Sequence, residues 1–273
     1  MRNPSVIFPS FCWALVCAVG AAGAASAQSI SESAREVYQA HQDALAVITA
    51  RCEIEFTTDK GSLPNQEQST QTLGTVIHPR GLIVVSNSAL DLSVGMVGQK
   101  GRAAGTEEFV TVTKAEGSFP EIQINLADGS EYNATRIQQN LDLDLAFLLI
   151  NPKQVAERKV PLAYVDLSKK VAEGGLSIAD PVIGLSRSSS VYRHIPTVLP
   201  GYVTAISKRP ESTFYITTAG TSQGVPVFDV QGRFAGITVQ RIVGGQRTNV
   251  LGTLAAGMVN SLAELAKGKA GIK

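Results

Sequence analysis

Two features of this chain have the residue types and spacing for nucleophilic chemistry. Ser222 sits in a glycine-flanked run, Gly220-Thr221-Ser222-Gln223-Gly224-Val225-Pro226. Asp142 and Asp144 alternate with leucines in Leu141-Asp142-Leu143-Asp144-Leu145. A serine hydroxyl becomes a useful nucleophile only beside a base, and the base in turn needs a carboxylate to orient it. The three histidines, His41, His78 and His194, are widely separated, so none is paired with either feature by sequence alone. The same scatter excludes HxxxH or CxxC spacing, and with it a metal site of the usual kind. Gly95, Gly98 and Gly101 do not match a dinucleotide fingerprint, and no phosphate-binding loop is present, so no cofactor is expected.

The elements that must position these residues begin after an expected signal peptide. Arg2 precedes a run of 15 uninterrupted nonpolar or small residues, Phe11 to Ala25, and the small-residue pattern Ala25-Ser26-Ala27 follows. The run is shorter than the roughly 18–20 residues of a membrane span, so no membrane span is expected and the product is read as exported, periplasmic or extracellular. Cleavage after Ala27 removes Arg2 and leaves basic and acidic groups equal in number. That balance argues against nucleic-acid binding. It also removes Cys12 and Cys17, leaving Cys52 alone with no partner for an internal disulfide. Cys52 belongs to an alternating run, Ala44, Ala46, Ile48, Ala50, Cys52, Ile54 and Phe56, and is expected to be a buried thiol.

Beyond a short helix, with Ser29 and Glu32 or Ser33 and Glu36 at capping-box spacing, the chain reads mainly as strand. In the first half the apolar runs are Leu73 to Ile77, Leu82 to Val85, Ile122 to Leu126, Tyr132 to Ile137 and Leu145 to Ile150. The second half has Pro181 to Leu185, Tyr202 to Ile206, Phe214 to Thr217, Val225 to Phe228 and Phe234 to Val239. Turn signals separate them, notably His78-Pro79-Arg80-Gly81, Asp128-Gly129 and Gln231-Gly232. The expected organisation is a signal peptide over 1–27, an N-terminal helix or extension over 28–43, and a first barrel over 44–150 carrying an insertion at 91–118. A linker over 151–160, a second barrel over 161–253, and a C-terminal helix and tail over 254–273 complete it. The pattern resumed from Asn260 to Lys267 is the helical one.

Four segments, in order, resemble the HtrA/Deg-type trypsin-like serine proteases of the S1 peptidase, chymotrypsin-fold group. They are Gly74 to Asn87; Leu126-Ala127-Asp128-Gly129 with Leu143-Asp144-Leu145-Ala146; Gly201 to Ser207; and Gly220 to Phe228 with Gln231 to Ile237. The resemblance implies an all-β fold of two six-stranded antiparallel β-barrels with short N- and C-terminal helices and a cleft between the barrels. It also implies that Asp144 is the retained family aspartate and that Gly220 and Thr221 form the oxyanion loop.

The other catalytic positions depart from that pattern. Setting Val85-Ser86-Asn87-Ser88-Ala89-Leu90 against the family's V-T-N-A-H-V puts Ala89 where the base belongs, and an alanine accepts no proton. Two registers are open for the nucleophile: Ser222 counted forward from Gly220, or Gln223 counted back from Pro226. Val225 stands where the family keeps a glycine. Base and nucleophile act as a unit, and losing either costs on the order of a millionfold in turnover. The expectation is an exported pseudo-protease that binds a peptide or protein without hydrolysis, along an edge near Val239 to Val243 and Tyr215 to Ala219. The alternative is an active but atypical serine hydrolase using Ser222 with an unrecognised base. Asp144 has a plainer reading too, as a strand-end carboxylate collecting backbone N–H groups. The sequence does not address oligomeric state.

Overall fold

Ser29 opens the computed structural model, which describes residues 29–102, 108–172, 175–209 and 212–272; the expected signal peptide lies outside them. The Ser29 hydroxyl accepts a hydrogen bond of 3.2 Å from Glu32 N, capping helix α1 (Ile30–His41) as the serine–glutamate spacing predicts. Helix α1 buries Ser33, Ala34 and Val37 on one face, the i, i+3/i+4 stripe of an amphipathic surface helix.

Strand β1 (Leu45–Thr58) follows a short 3₁₀ turn and buries alternate residues from Ala50 to Phe56, including Cys52, as its period-2 pattern demands. It pairs with β2 (Gly61–His78), which reaches twelve residues upstream of the apolar run that marks it in the sequence. Those extra residues are mostly polar and exposed, with Leu63 the one large apolar side chain, so hydrophobic periodicity could not signal them. The turn to β3 (Leu82–Ser86) is closed by Gly81, whose φ of 84° suits glycine and whose N–H donates to His78 O at 3.0 Å. Every residue of β3 is buried, as befits a strand enclosed on both faces.

A single helical turn, α2 (Asn87–Leu90), leads into the 91–118 segment, where β4 (Lys100–Arg102) and the start of β5 (Phe109–Asn125) lie. The segment is marked in the sequence only as an insertion; its last third is strand, paired with the far end of β1. Strands β6 (Glu131–Asn140) and β7 (Leu145–Ile150) complete the first barrel, ordered β1-β2-β3-β7-β6-β5 and closed by the β1–β5 pairing, with β4 attached outside β5.

Helix α3 (Pro152–Ala156), capped by the Asn151 side chain, stands in the bridge to the second half. There β8 (Pro181–Arg187), β9 (Pro196–Arg209), β10 (Ser212–Thr217), β11 (Pro226–Asp229), β12 (Phe234–Val243) and β13 (Gln246–Ala255) form a second closed barrel, ordered β10-β13-β12-β11-β8-β9. No apolar run marks β13, whose Gln246-Arg247-Thr248-Asn249 start is polar and whose interior holds Gly252. Helix α4 (Ala256–Ala270) begins four residues earlier than the apolar pattern suggested and ends at Gly271, in the left-handed conformation typical of a helix terminus.

The fold is therefore all-β, two closed six-stranded antiparallel barrels with short helices at the ends and between strands. One apolar cluster runs through both: Leu82, Val84 and Phe147 from the first barrel meet Ile183, Phe214 and Ile237 from the second, together with Val37 of α1 and Val259 of α4. A second cluster around Ile48, Ile83 and Leu148 fills the first barrel alone.

Candidate functional site

Asp144 sits where the two barrels meet, at the end of the turn before β7, and is 1 % exposed. Its φ of 55° is left-handed, a conformation aspartate tolerates better than most non-glycine residues. The preceding turn is held by Asn140, whose Oδ1 accepts from Leu143 N at 3.0 Å. Three donors converge on the Asp144 carboxylate. The Ser86 hydroxyl donates to Oδ2 at 2.5 Å, Ser88 N donates to Oδ1 at 2.6 Å, and Gln240 N donates to Oδ2 at 2.8 Å. The backbone adds another tie, with Asn87 N donating to Asp144 O at 3.0 Å. Burial pushes the Asp144 carboxyl above the usual carboxylate range, and those hydrogen bonds pull against the rise.

The loop before β11 comes to this carboxylate through Gln223. Gln223 Oε1 is 3.1 Å from Ser86 Oγ, and its Nε2 donates to Gln240 Oε1 at 3.4 Å. Ser88 Oγ donates to the same Gln240 Oε1 at 3.2 Å. The Ser86 hydroxyl has one hydrogen, and at 2.5 Å the carboxylate takes it. Asp144, Ser86, Ser88, Gln223 and Gln240 thus form one polar network drawn from β3, α2, the turn before β7, the loop before β11, and β12.

Ser222 makes a different contact: its Oγ is 3.1 Å from Ser186 Oγ on β8. Gly220 N donates to Thr217 Oγ1 at 3.0 Å, and Thr221 is exposed. Ala89 lies in α2 beside Ser88, with its carbonyl accepting from Thr70 Oγ1 at 3.2 Å. The loop is anchored at Gly224, whose carbonyl accepts from Thr75 Oγ1 at 2.9 Å and whose N–H donates to Thr238 O at 2.8 Å. Gly224 has φ 78°, and a Cβ there would overlap the Leu73 carbonyl oxygen.

The histidines are occupied elsewhere. His41 stacks on Phe228 with ring centroids 4.6 Å apart, His78 Nδ1 accepts from Arg80 N at 3.2 Å in its own turn, and His194 Nδ1 is 3.0 Å from Ser188 O. No histidine nitrogen is hydrogen-bonded to Ser222 or Asp144 among the described residues. The Asp144 carboxylate and the amides and hydroxyls around it can hold and orient polar groups, with no imidazole beside them among the described residues.

One end of the cleft is bridged by the β12–β13 hairpin. Arg247 Nη2 donates to Asp91 O at 2.7 Å and Gln246 Nε2 donates to Val97 O at 2.6 Å, so the 91–98 loop of the first barrel is tied to the second. Asp91 is itself paired with Arg136 at 3.0 Å. Cavities of about 610 and 550 Å³ flank the hairpin, and Asp142 and Ile242 line both.

The hairpin turn is Gly244-Gly245, with φ of 58° and 76°, the signature of a two-residue primed turn. In such a hairpin Val243 and Gln246 form the hydrogen-bonded pair, so the next pair, Ile242 and Arg247, points its main-chain groups away from each other. Ile242 therefore turns its N–H and C=O away from β13, one register shift beyond Gln240, whose N–H reaches Asp144.

Ser86, Ser88 and Gln240 were given no role from sequence. Ser86 and Ser88 bracket the Asn87 of a quoted motif, and a hydroxyl so close to the missing base was the available signal. Nothing in the pattern marks Gln240, because its role comes from a backbone N–H.

No family model matches the chain, and no match to a curated protein was found. The two closed six-stranded barrels fit a trypsin-like double barrel. No helix among the described residues is long and apolar enough to cross a membrane.

Proposed function

We propose that this protein is an exported, non-hydrolytic relative of the trypsin-like serine proteases that binds an extended peptide segment of a protein partner in the cleft between its barrels. The observation that carries the reading is the Gln223 side chain. An amide, which is no nucleophile, occupies the hydrogen-bonding position beside Ser86 and Asp144, while Ser222 bonds a second serine instead of a base. Binding needs no triad. An extended chain can pair with the outward groups of Ile242, and the neighbouring cavities can take alternate side chains, which is how strand addition separates affinity from specificity. Export rests on the Phe11 to Ala25 stretch and the Ala25-Ser26-Ala27 pattern.

The test joins two measurements. A fluorophosphonate probe is expected to leave the protein unlabelled under conditions that modify an ordinary trypsin-like protease. A fluorescent decapeptide library is expected to contain saturable ligands whose affinity falls about fivefold in Ile242→Pro, since one main-chain hydrogen bond of about 1 kcal/mol is removed. Labelling of Ser222 that disappears in Ser222→Ala would overturn the non-hydrolytic part. A library without ligands would overturn the binding part.

A further inference from the structure

Between β8 and β9 the chain turns through a hydrogen-bonded loop, Ser188 to Ile195, that holds a short 3₁₀ turn over Ser190–Tyr192. Ser188 N donates to Ile195 O at 2.9 Å across its neck and Arg193 N donates to Ser190 O at 2.9 Å within it. From the end of β8, Arg187 Nη1 donates to His194 O at 2.9 Å. Arg193 and His194 are both left-handed, with φ of 56° and 53°, a conformation uncommon for residues other than glycine. Backbone held in such a region persists only where the surrounding contacts over-determine it, and here they set the direction in which the loop's side chains point.

The loop turns its apolar residues outward. Val191 is 82 % exposed, Tyr192 67 % and Ile195 55 %, and the first two are the most exposed large apolar side chains among the described residues. Single apolar residues on a surface are ordinary, but three within five positions on a fixed loop form a patch that water solvates poorly.

Charge complementarity narrows what could cover it. The chain from Pro181 to Pro210 contains four Arg or Lys residues and no Asp or Glu. Arg193 stands inside the apolar trio, is exposed, and has no ion pair among the described residues. Area narrows it further. Three side chains fall well short of the roughly 800 Å² that each partner buries in a standard protein interface, whereas a bilayer needs no matching surface. A membrane–water interface accepts this set of groups, with the tyrosine ring at headgroup level and the guanidinium against anionic lipid.

We propose that the Ser188 to Ile195 loop docks on an anionic lipid surface, with Val191, Tyr192 and Ile195 entering the boundary between headgroups and acyl chains and Arg193 meeting the lipid phosphates. The loop shares no residue with the Asp144 network, so the proposal stands apart from the peptide-binding reading.

The experiment sediments the processed chain, residues 28–273, which holds every described residue, with vesicles of equimolar phosphatidylcholine and phosphatidylglycerol and with vesicles of phosphatidylcholine alone. Saturable binding to the mixed vesicles is expected, about fivefold tighter than to the neutral ones, the worth of one arginine at an anionic surface. Arg193→Asn, which tolerates the left-handed backbone, should remove that preference. The double variant Val191→Ser, Ile195→Ser should weaken binding to the mixed vesicles at least about tenfold, and circular dichroism checks that it folds. Absence of saturable binding overturns the proposal, as does binding that survives the double variant. Equal affinity for the two kinds of vesicle overturns the assignment of anionic lipid. A dimer in analytical ultracentrifugation that the double variant dissociates would give the loop to a second copy of the chain and overturn the proposal too. Should the double variant fail to fold, Tyr192→Trp decides: Trp13 is the only tryptophan of the sequence and is absent from the processed chain, so the new indole reports alone. Its emission is expected to shift to the blue when mixed vesicles are added, and an unshifted emission overturns the proposal.

Discussion

Ser86 Oγ and Asp144 Oδ2 are 2.5 Å apart, although 58 residues separate them in the chain. The contact joins the last residue of β3 to the turn before β7, two strands paired along their length. In a working triad a carboxylate at such a position holds an imidazole. Here a serine from the neighbouring strand donates to the carboxylate, while the side-chain amide of buried Asn87 beside it has no hydrogen-bond partner among the described residues.

Removing that hydroxyl leaves Asp144 with less compensation for its burial. Ser86→Ala is expected to destabilise the protein by about 1.5–3 kcal/mol at neutral pH, the usual worth of a hydrogen bond to a charged group. The Asp144 carboxyl is already held above its unfolded value, so the folded state favours its protonated form. Stability from this group is fully present below the unfolded pKa and is lost as pH rises through the folded one. The Ser86→Ala penalty should therefore shrink at acid pH, which urea unfolding at pH 4 and pH 7.5 would measure.

Asp144→Ala should cost more, about 2–4 kcal/mol, because Ser88 N and Gln240 N lose their acceptor together while both remain buried or half-buried. Urea unfolding checks this too. A variant as stable as the parent would mean that the carboxylate's burial cost cancels its hydrogen bonds.

Ala89 follows Ser88, whose N–H is 2.6 Å from Asp144 Oδ1, and Gln223 lies across from it. The double variant Ala89→His, Gln223→Ser is expected to gain fluorophosphonate labelling at position 223, while each single variant stays inert, since base and nucleophile act as a unit. Mass spectrometry of the labelled peptide reads the outcome. Labelling at Ser222 instead would assign the other register.

Gly224→Ala forces a Cβ toward the Leu73 carbonyl oxygen at a left-handed φ of 78°. The expected loss is at least about 2 kcal/mol from backbone strain alone. Thermal unfolding would detect it as a lower Tm, and retained stability would mean that the loop can leave the first barrel without penalty.

His41 gives the protein a second pH dependence, opposite in sign to that of Asp144. Burial first, and Lys169 second, push its pKa below the ordinary 6.5. The unfolded chain then binds the extra proton more readily, so stability declines as pH falls below about 6.5 toward the folded value. His41→Phe keeps a ring against Phe228 and should flatten the Tm profile between pH 7.5 and 5. The slope that remains belongs in part to His78, which burial also pushes down.

The strands with apolar runs were legible because alternation or continuous burial dictates them: β3, β7, β8 and β11 all lie close to their sequence-read positions. The polar extensions of β2 and β5 and the whole of β13 were not, since their pairing satisfies backbone groups without burying an apolar face along the full length. The site divides in the same way. Asp144 and the loop around Gln223 could be found from motif order, but the contacts of Ser86, Ser88 and Gln240 depend on strands brought together from distant parts of the chain. Two of the three donors to Asp144 are main-chain amides, and no residue type announces them.

The apolar cluster that threads both barrels also binds the two terminal helices to them. Each barrel also has a cluster of its own, but burying this shared one takes both halves together. The protein should consequently melt in one cooperative step, and a protease nick between Pro152 and Lys159 should leave two fragments that stay clasped together until denaturant is added.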